Sequence, residues 1–85
     1  MKRIYQVDGL RDRLEDAIFS SGMDIAEISR KSGVSRNLIW AYRFDNKQPS
    51  CYTLMRLART LNVSTDWLLG LRGQSNGEGK RDTQV

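Results

Sequence analysis

Apolar residues recur along the chain at helical spacing. Before residue 22 they fall at i, i+4, i+7 and i+8, with a serine at i+11, which places these positions on one face of a helix, and a second stripe lies around residue 57. The alternation of period two that is typical of a half-buried strand occurs nowhere in the sequence. The pattern therefore predicts an all-α fold. The positions expected to face the core are Leu10, Leu14, Ala17, Ile18 and Ser21 in the first helix and Leu54, Leu57, Ala58 and Leu61 in the fourth.

Capping and turn residues divide the chain into five short helices. A side chain that can cap a helix N-terminus precedes each one, at Asp8, Asp24, Ser35, Ser50 and Ser64. The C-termini are marked by Gly22, Gly33, Asn62 and Gly70, and by the loop "DNKQPS" after the third helix. We therefore expect an N-terminal arm over residues 1–8, one compact five-helix domain over residues 9–71, and a polar, disordered tail over residues 72–85.

Charge is distributed unevenly along this 85-residue chain, whose formal net charge is +4. Residues 1–33 carry six basic and six acidic groups, whereas residues 34–64 carry five basic groups against Asp45 alone. A basic half beside a neutral half is typical of a polyanion binder, although a solvated basic face explains the charge alone equally well. The five cations are Arg36, Arg43, Lys47, Arg56 and Arg59, of which we expect Arg56 and Arg59 to point to solvent.

The residue types present exclude several classes of function. The sequence has no histidine, and Cys51 is its single cysteine, so neither a thiolate metal site nor an intrachain disulfide is expected. Without a nucleophile–base pair or an acidic cluster, we expect no enzyme activity, no cofactor and no small-molecule substrate. No apolar run approaches the ~18 residues of a membrane span, and the cysteine usage fits a reducing compartment, so we expect a cytoplasmic protein without a membrane partner.

Two short helices separated by a glycine turn form the most informative motif. The helices expected over residues 25–32 and 36–44 are joined by a three-residue turn that begins with Gly33, which is the helix-turn-helix plan. The stretches "GVSR", "LARTLNVS" and "WLLGL", together with Pro49-Ser50, follow in register without insertions. In these features the chain resembles the lambda-repressor-like helix-turn-helix family of phage repressors and xenobiotic-response-element-type bacterial regulators. The resemblance covers about residues 10–71.

The resemblance implies a sequence-specific transcriptional regulator, of the phage or mobile-element repressor type, that binds a near-palindromic site on duplex DNA as a homodimer. The residues it assigns to base reading are Arg36, Asn37, Leu38, Trp40 and Ala41. The chemistry agrees for the first two, because arginine pairs bidentately with guanine and asparagine with adenine. The residues assigned to phosphates are Ser35, Arg43, Asn46 and Lys47. A dimer contact is expected at Trp67, Leu68, Leu69 and Leu71, apolar side chains that a domain this small cannot all bury.

Four positions depart from the family pattern. Ile25, after Asp24, replaces a glutamine that often holds a phosphate, so we expect weaker DNA binding. Ile18 and Arg43 occupy the positions at which many members pair an arginine in helix 1 with a glutamate in helix 3. We therefore expect Arg43 to be free to reach a phosphate. Ser32 replaces a usual leucine and is expected to loosen the end of the second helix.

A second hypothesis is a protein-interaction module, such as an antitoxin-like or accessory protein, that keeps the helix-turn-helix fold. Leu38, Trp40 and Phe44 favour it, because exposed apolar patches mark protein interfaces. Phe44 is expected to cover the adjacent loop or the rim of the core. Whether Leu38 and Trp40 face DNA or protein is left open by the sequence.

Overall fold

Residues 7–71, the part of the chain that our computed structural model describes, form an all-helical domain. This part contains five helices and no strand, which confirms the predicted fold class. The expected tail, and all but residues 7 and 8 of the expected arm, lie outside the described residues. None of the described helices is long and apolar enough to cross a membrane. The helices are α1 (Leu10–Ser21), α2 (Ile25–Ser32), α3 (Arg36–Phe44), α4 (Cys51–Leu61) and α5 (Thr65–Leu68).

Four of these five helices begin with the cap that the sequence predicts. In each case a side-chain oxygen accepts a hydrogen bond of 2.9–3.2 Å from the backbone N–H three residues further on. This satisfies a donor that the helix itself leaves without a partner. The capping residues are Asp24, Ser35, Ser50 and Ser64. Left-handed backbone at Gly22, Gly33 and Asn62 then ends α1, α2 and α4, as predicted.

The start of α1 differs, and the prediction that Asp8 caps it is wrong. Gly9 is the N-cap residue, with a φ of 77°, and no side chain caps this end of the helix. Asp8 instead offers its main-chain carbonyl, which accepts a 2.6 Å hydrogen bond from Nη2 of Arg13. Nε of the same arginine donates to the carbonyl of Leu68 at 2.9 Å. One guanidinium group therefore ties the beginning of α1 to the end of α5.

The core lies between the inner faces of the five described helices. α1 and α4 bury the residues that their apolar spacing predicts, except Ser21, which is only half-buried. The remaining helices contribute Ile28, Ile39, Tyr42 and Leu68 to the same cluster. Burial of an aliphatic side chain contributes about 1.5–3 kcal/mol, so the inner face of α3 is fixed by this cluster. The opposite face of α3 must then point away from the domain.

The turn between α2 and α3 is held by hydrogen bonds from three sides. The N–H of Val34 donates to the Ser32 hydroxyl at 3.1 Å, and the Ser29 hydroxyl donates to the Val34 carbonyl at 2.7 Å. Nε of Arg56, on α4, donates to the Ser32 carbonyl at 2.7 Å. Ser32 is buried with partners for both its hydroxyl and its carbonyl, which tie the end of α2 to the turn and to α4. That a serine here loosens α2 relative to a leucine stays a prediction.

Gly33 is the position in this turn where a side chain is least tolerated. Its φ is 76°, and an added Cβ would lie 2.6 Å from Nη2 of Arg56. We expect Gly33→Ala to lower the free energy of unfolding, measured by urea denaturation, by about 1–3 kcal/mol. Gly22→Ala is the matched control, because Gly22 has a φ of 74° but no atom within 4 Å of the Cβ position. An equal loss in both variants would show that Arg56 adds no crowding.

Candidate nucleic-acid interface

Helix α3 presents one buried face and one exposed face. Ile39 and Tyr42 lie in the core, and each residue is no more than 4% exposed. At 3.6 residues per turn, the positions on the far side of the helix point outward. These exposed residues are Arg36, Asn37, Trp40 and Phe44. They are the part of α3 that a macromolecular partner can reach.

The five side chains expected to read bases do not share one environment. Arg36 and Asn37 are exposed in the first turn of α3. Leu38 is half-buried and packs against the core, whereas Trp40 is 57% exposed. Ala41 is half-buried. The structure thus brings Arg36, Asn37 and Trp40 to the outward face and sets Leu38 apart from them.

Three of the residues expected to meet phosphates lie at the two ends of α3. Ser35 is exposed at the N-terminal end, where its Oγ accepts a 3.1 Å hydrogen bond from the N–H of Leu38. A hydroxyl group that accepts in this way can still donate to an anion. Asn46 and Lys47 are exposed beyond the C-terminal end. The N–H of Lys47 donates to the carbonyl of Ala41 at 3.3 Å, which holds this loop against the helix.

Arg43 has a partner inside the protein, so the expectation that it is free is wrong. Its Nε lies 3.0 Å from Oε2 of Glu15, on α1, and this ion pair is partly buried. The guanidinium carbon also lies 4.7 Å from the centre of the Phe44 ring. α1 and α3 are therefore joined by an ion pair whose cation comes from α3. The sequence gives little indication of this ion pair, because Glu15 lies beside the apolar stripe of α1, where an ordinary solvent-exposed acidic residue is expected.

Phe44 does not cover the loop or the rim of the core, contrary to expectation. It is 53% exposed, and its ring centroid lies 5.5 Å from that of Trp40 at an interplanar angle of 54°. The two residues are four positions apart and therefore neighbours on one helix face. They form an exposed aromatic pair on the same face as Arg36 and Asn37.

The four residues expected at a dimer contact, at the end of α5, differ in how far they are buried. Leu68 is fully buried in its own domain, so its assignment to a contact between protomers is wrong. Trp67 and Leu69 are half-buried, and both pack against the rim of the core. Leu71 is 75% exposed. The apolar surface at this end of the domain therefore comes from Trp67, Leu69 and Leu71.

The basic half of the chain exposes fewer cations than its composition suggests. Arg56 is half-buried, bonded to the Ser32 carbonyl and the Tyr52 hydroxyl, with its guanidinium 5.1 Å from the centre of the Tyr52 ring. The prediction that it points to solvent is wrong, whereas Arg59 is exposed as predicted. The exposed cations of this half are Arg36, Lys47 and Arg59. Within residues 7–71, no group of three histidine, cysteine or acidic side chains is arranged to hold a metal ion.

A known protein is similar to most of this chain. Over 61 residues the sequence is 36% identical to the HTH-type transcriptional regulator ImmR of Bacillus subtilis (strain 168). The match covers 72% of this chain and 48% of that protein, so the chain spans about half the length of this relative. No family model and no solved structure matches the chain. The sequence similarity, together with the five-helix fold, supports a helix-turn-helix, repressor-like family for this chain.

Proposed function

We propose that this protein is a cytoplasmic, sequence-specific regulator of transcription that binds double-stranded DNA. The observation that carries the proposal is the exposed first turn of α3, where Arg36 and Asn37 project from a helix whose other face is fixed in the core. The name of the ImmR relative supports a transcriptional regulator. Repression, and a phage or mobile-element origin, are the finer parts of the proposal and rest on the family resemblance.

In this proposal α3 enters the major groove while α2 crosses the phosphate backbone above it. The hydrogen-bonded turn at Ser32 and Val34 fixes the angle between the two helices, which such docking requires. Arg36 donates two hydrogen bonds to O6 and N7 of guanine, and Asn37 pairs with N6 and N7 of adenine. Ala41 lies farther along and is small enough to let the helix approach the base edges closely.

Phosphate groups are met at both ends of α3. The hydroxyl of Ser35 donates to one phosphate, next to backbone N–H groups of the first turn, and the positive end of the helix dipole favours an anion there. Lys47 and Asn46 meet a second phosphate beyond the C-terminal end. Arg43 is held by Glu15 and contributes to this contact only if that ion pair opens.

We further propose a two-fold dimer formed through Trp67, Leu69 and Leu71 at the end of α5. Two-fold symmetry places the same patch on both protomers and presents the two α3 helices to successive major-groove segments, about 34 Å apart. Such a protein binds a near-palindromic site. Sedimentation at rising protein concentration should reveal the dimer, and a chain that stays monomeric at high concentration contradicts this part of the proposal.

The test of DNA binding is a mobility-shift titration at several salt concentrations. Each phosphate neutralised by a lysine or arginine contributes about −0.9 to the slope of log K against log[salt]. We expect a steep, linear fall of affinity for duplex DNA. An affinity that does not change with salt concentration, or equal binding to any polyanion, would contradict the proposal.

Glu15→Gln should strengthen DNA binding by releasing Arg43. The guanidinium group lies near the C-terminal end of α3 and, once freed from its 3.0 Å ion pair, can neutralise a phosphate. The salt slope should then become steeper by about 0.9 for each protomer bound. Asp16→Asn is the matched control, because Asp16 is the exposed neighbour of Glu15 and carries the same charge. Equal changes in the two variants would show that only net charge matters.

The second candidate function is the protein-interaction module. The observation that favours it is the exposed pair of Trp40 and Phe44, since contiguous apolar surface commonly marks a protein interface. The exposed Arg36 and Asn37 at the start of the same helix face favour DNA. Alanine substitution of these two polar residues separates the two functions, as argued in the Discussion.

A further inference from the structure

The aromatic pair on α3 has a fixed geometry although most of its surface is exposed. The Phe44 ring contacts both the Trp40 ring, at a centroid distance of 5.5 Å, and the Arg43 guanidinium, at 4.7 Å. The guanidinium is itself held by Glu15 of α1. Tilted aromatic pairs of this kind are favourable beyond the area they bury. Trp40 therefore has an aromatic neighbour against which its ring packs on the outward face.

The pair lies one and two helical turns beyond Arg36 along α3. Trp40 lies four residues after Arg36, about 6 Å along the helix axis. Phe44 lies eight residues after Arg36, about 12 Å along the axis. A B-form major groove is about 12 Å wide. With Arg36 at the base edges, the Trp40 ring would lie within the groove and Phe44 one helical turn beyond it.

The charges around the pair favour a polyanion over an apolar protein surface. Arg36 and Lys47 are exposed at the two ends of α3. Asp45 is the one acidic residue of the segment 34–64. Docking of an apolar partner would bring these cations close to uncharged surface at a cost in desolvation, whereas DNA would pair them with phosphates.

The aromatic rings call for an apolar group in the groove. Apart from the indole N–H they have no hydrogen-bonding atom with which to read a base edge. The apolar group that the major groove presents is the 5-methyl group of thymine. We propose that Trp40, held by Phe44, packs against a thymine methyl group in each half-site. This inference rests on the proposed DNA-binding function and adds Phe44, as a positioning residue, to those that determine its specificity.

Deoxyuridine is the probe for this contact, because it differs from thymidine only in lacking the methyl group. Duplexes selected by the wild-type protein from a random pool are resynthesised with uracil in place of one thymine at a time. At the contacted position the affinity should fall about fourfold, as expected for loss of one buried methyl group. Equal binding at every position overturns the inference but leaves the proposed function intact. Failure to select any duplex removes the proposed function itself.

Variants assign the methyl contact to a side chain. Trp40→Ala should bind the thymine and uracil duplexes equally, and Phe44→Ala should reduce the difference between them. Phe19→Ala is the matched control, because Phe19 is an aromatic residue of α1 that is 88% exposed. It should keep the full discrimination. A Trp40→Ala protein that still distinguishes the two duplexes overturns the assignment.

Photo-crosslinking gives a readout on the unaltered protein. In 5-bromodeoxyuridine a bromine atom occupies the place of the thymine methyl group, and ultraviolet light links the base to an aromatic side chain in contact with it. Peptide mapping should recover the cross-link at Trp40. Recovery at Trp67, or at no residue of α3, contradicts the proposal.

Discussion

Replacement of Arg36 and Asn37 by alanine is expected to abolish sequence-specific DNA binding while the fold persists. Both side chains are exposed in the first turn of α3, so their loss removes no core contact. A good bidentate contact discriminates against the wrong base by about 1–3 kcal/mol, which is roughly 5- to 150-fold for each residue. In mobility-shift titrations, the double variant should bind its selected site little better than a random duplex.

Arg59→Ala is the control for the loss of positive charge, because Arg59 is exposed on α4. It should lower the affinity for selected and random duplexes by the same factor, if at all. A double variant of Arg36 and Asn37 that keeps its preference for the selected site would show that these residues do not read bases. If no DNA site can be found for the wild-type protein and the double variant still binds a protein partner, the result would favour the interaction module.

Leu57→Ala is expected to remove most of the stability of the domain. Leu57 is fully buried in α4, within the cluster to which all five described helices contribute. Truncation of a buried leucine costs about 2–5 kcal/mol, and natural domains have only about 5–15 kcal/mol in total. A domain this small belongs at the lower end of that range. The midpoint temperature of thermal unfolding, followed by circular dichroism, should fall by roughly 10–30 °C.

Met55→Ala tests whether burial explains that loss. Met55 lies on the same helix and is 41% exposed. Its truncation removes a similar volume of apolar side chain and should change the free energy of unfolding by no more than about 0.5 kcal/mol. Comparable destabilisation by the two substitutions would mean that Leu57 is not in the core as described.

Helix starts could be predicted from the sequence because a cap is a local interaction. It needs one side-chain oxygen and the N–H three residues further on, as at Ser35 and Ser50. The prediction failed at Asp8, where Gly9 takes the N-cap position and Arg13 supplies hydrogen bonds from within the helix and across to α5. The buried faces of α1 and α4 were also predictable, since each helix is long enough for its apolar period to be read.

Contacts between helices could not be predicted in this way. The pair of Glu15 and Arg43 joins residues 28 positions apart, and helical spacing does not say which side chain of another helix a residue meets. α5 has four residues, too few for a period to show that Leu68 points inward while Leu71 remains exposed. The spacing of Trp40 and Phe44 makes them neighbours, but their exposure depends on how α3 packs on the core.

Selection of bound sequences from a random pool of duplex DNA tests the central claim most directly, namely that α3 reads bases. If Arg36 and Asn37 read guanine and adenine from a two-fold dimer, the selected duplexes should share a near-palindromic sequence. Its half-sites should contain both bases and lie about 10 base pairs apart, which is one turn of DNA. A folded protein that enriches no sequence over the random pool would contradict the claim.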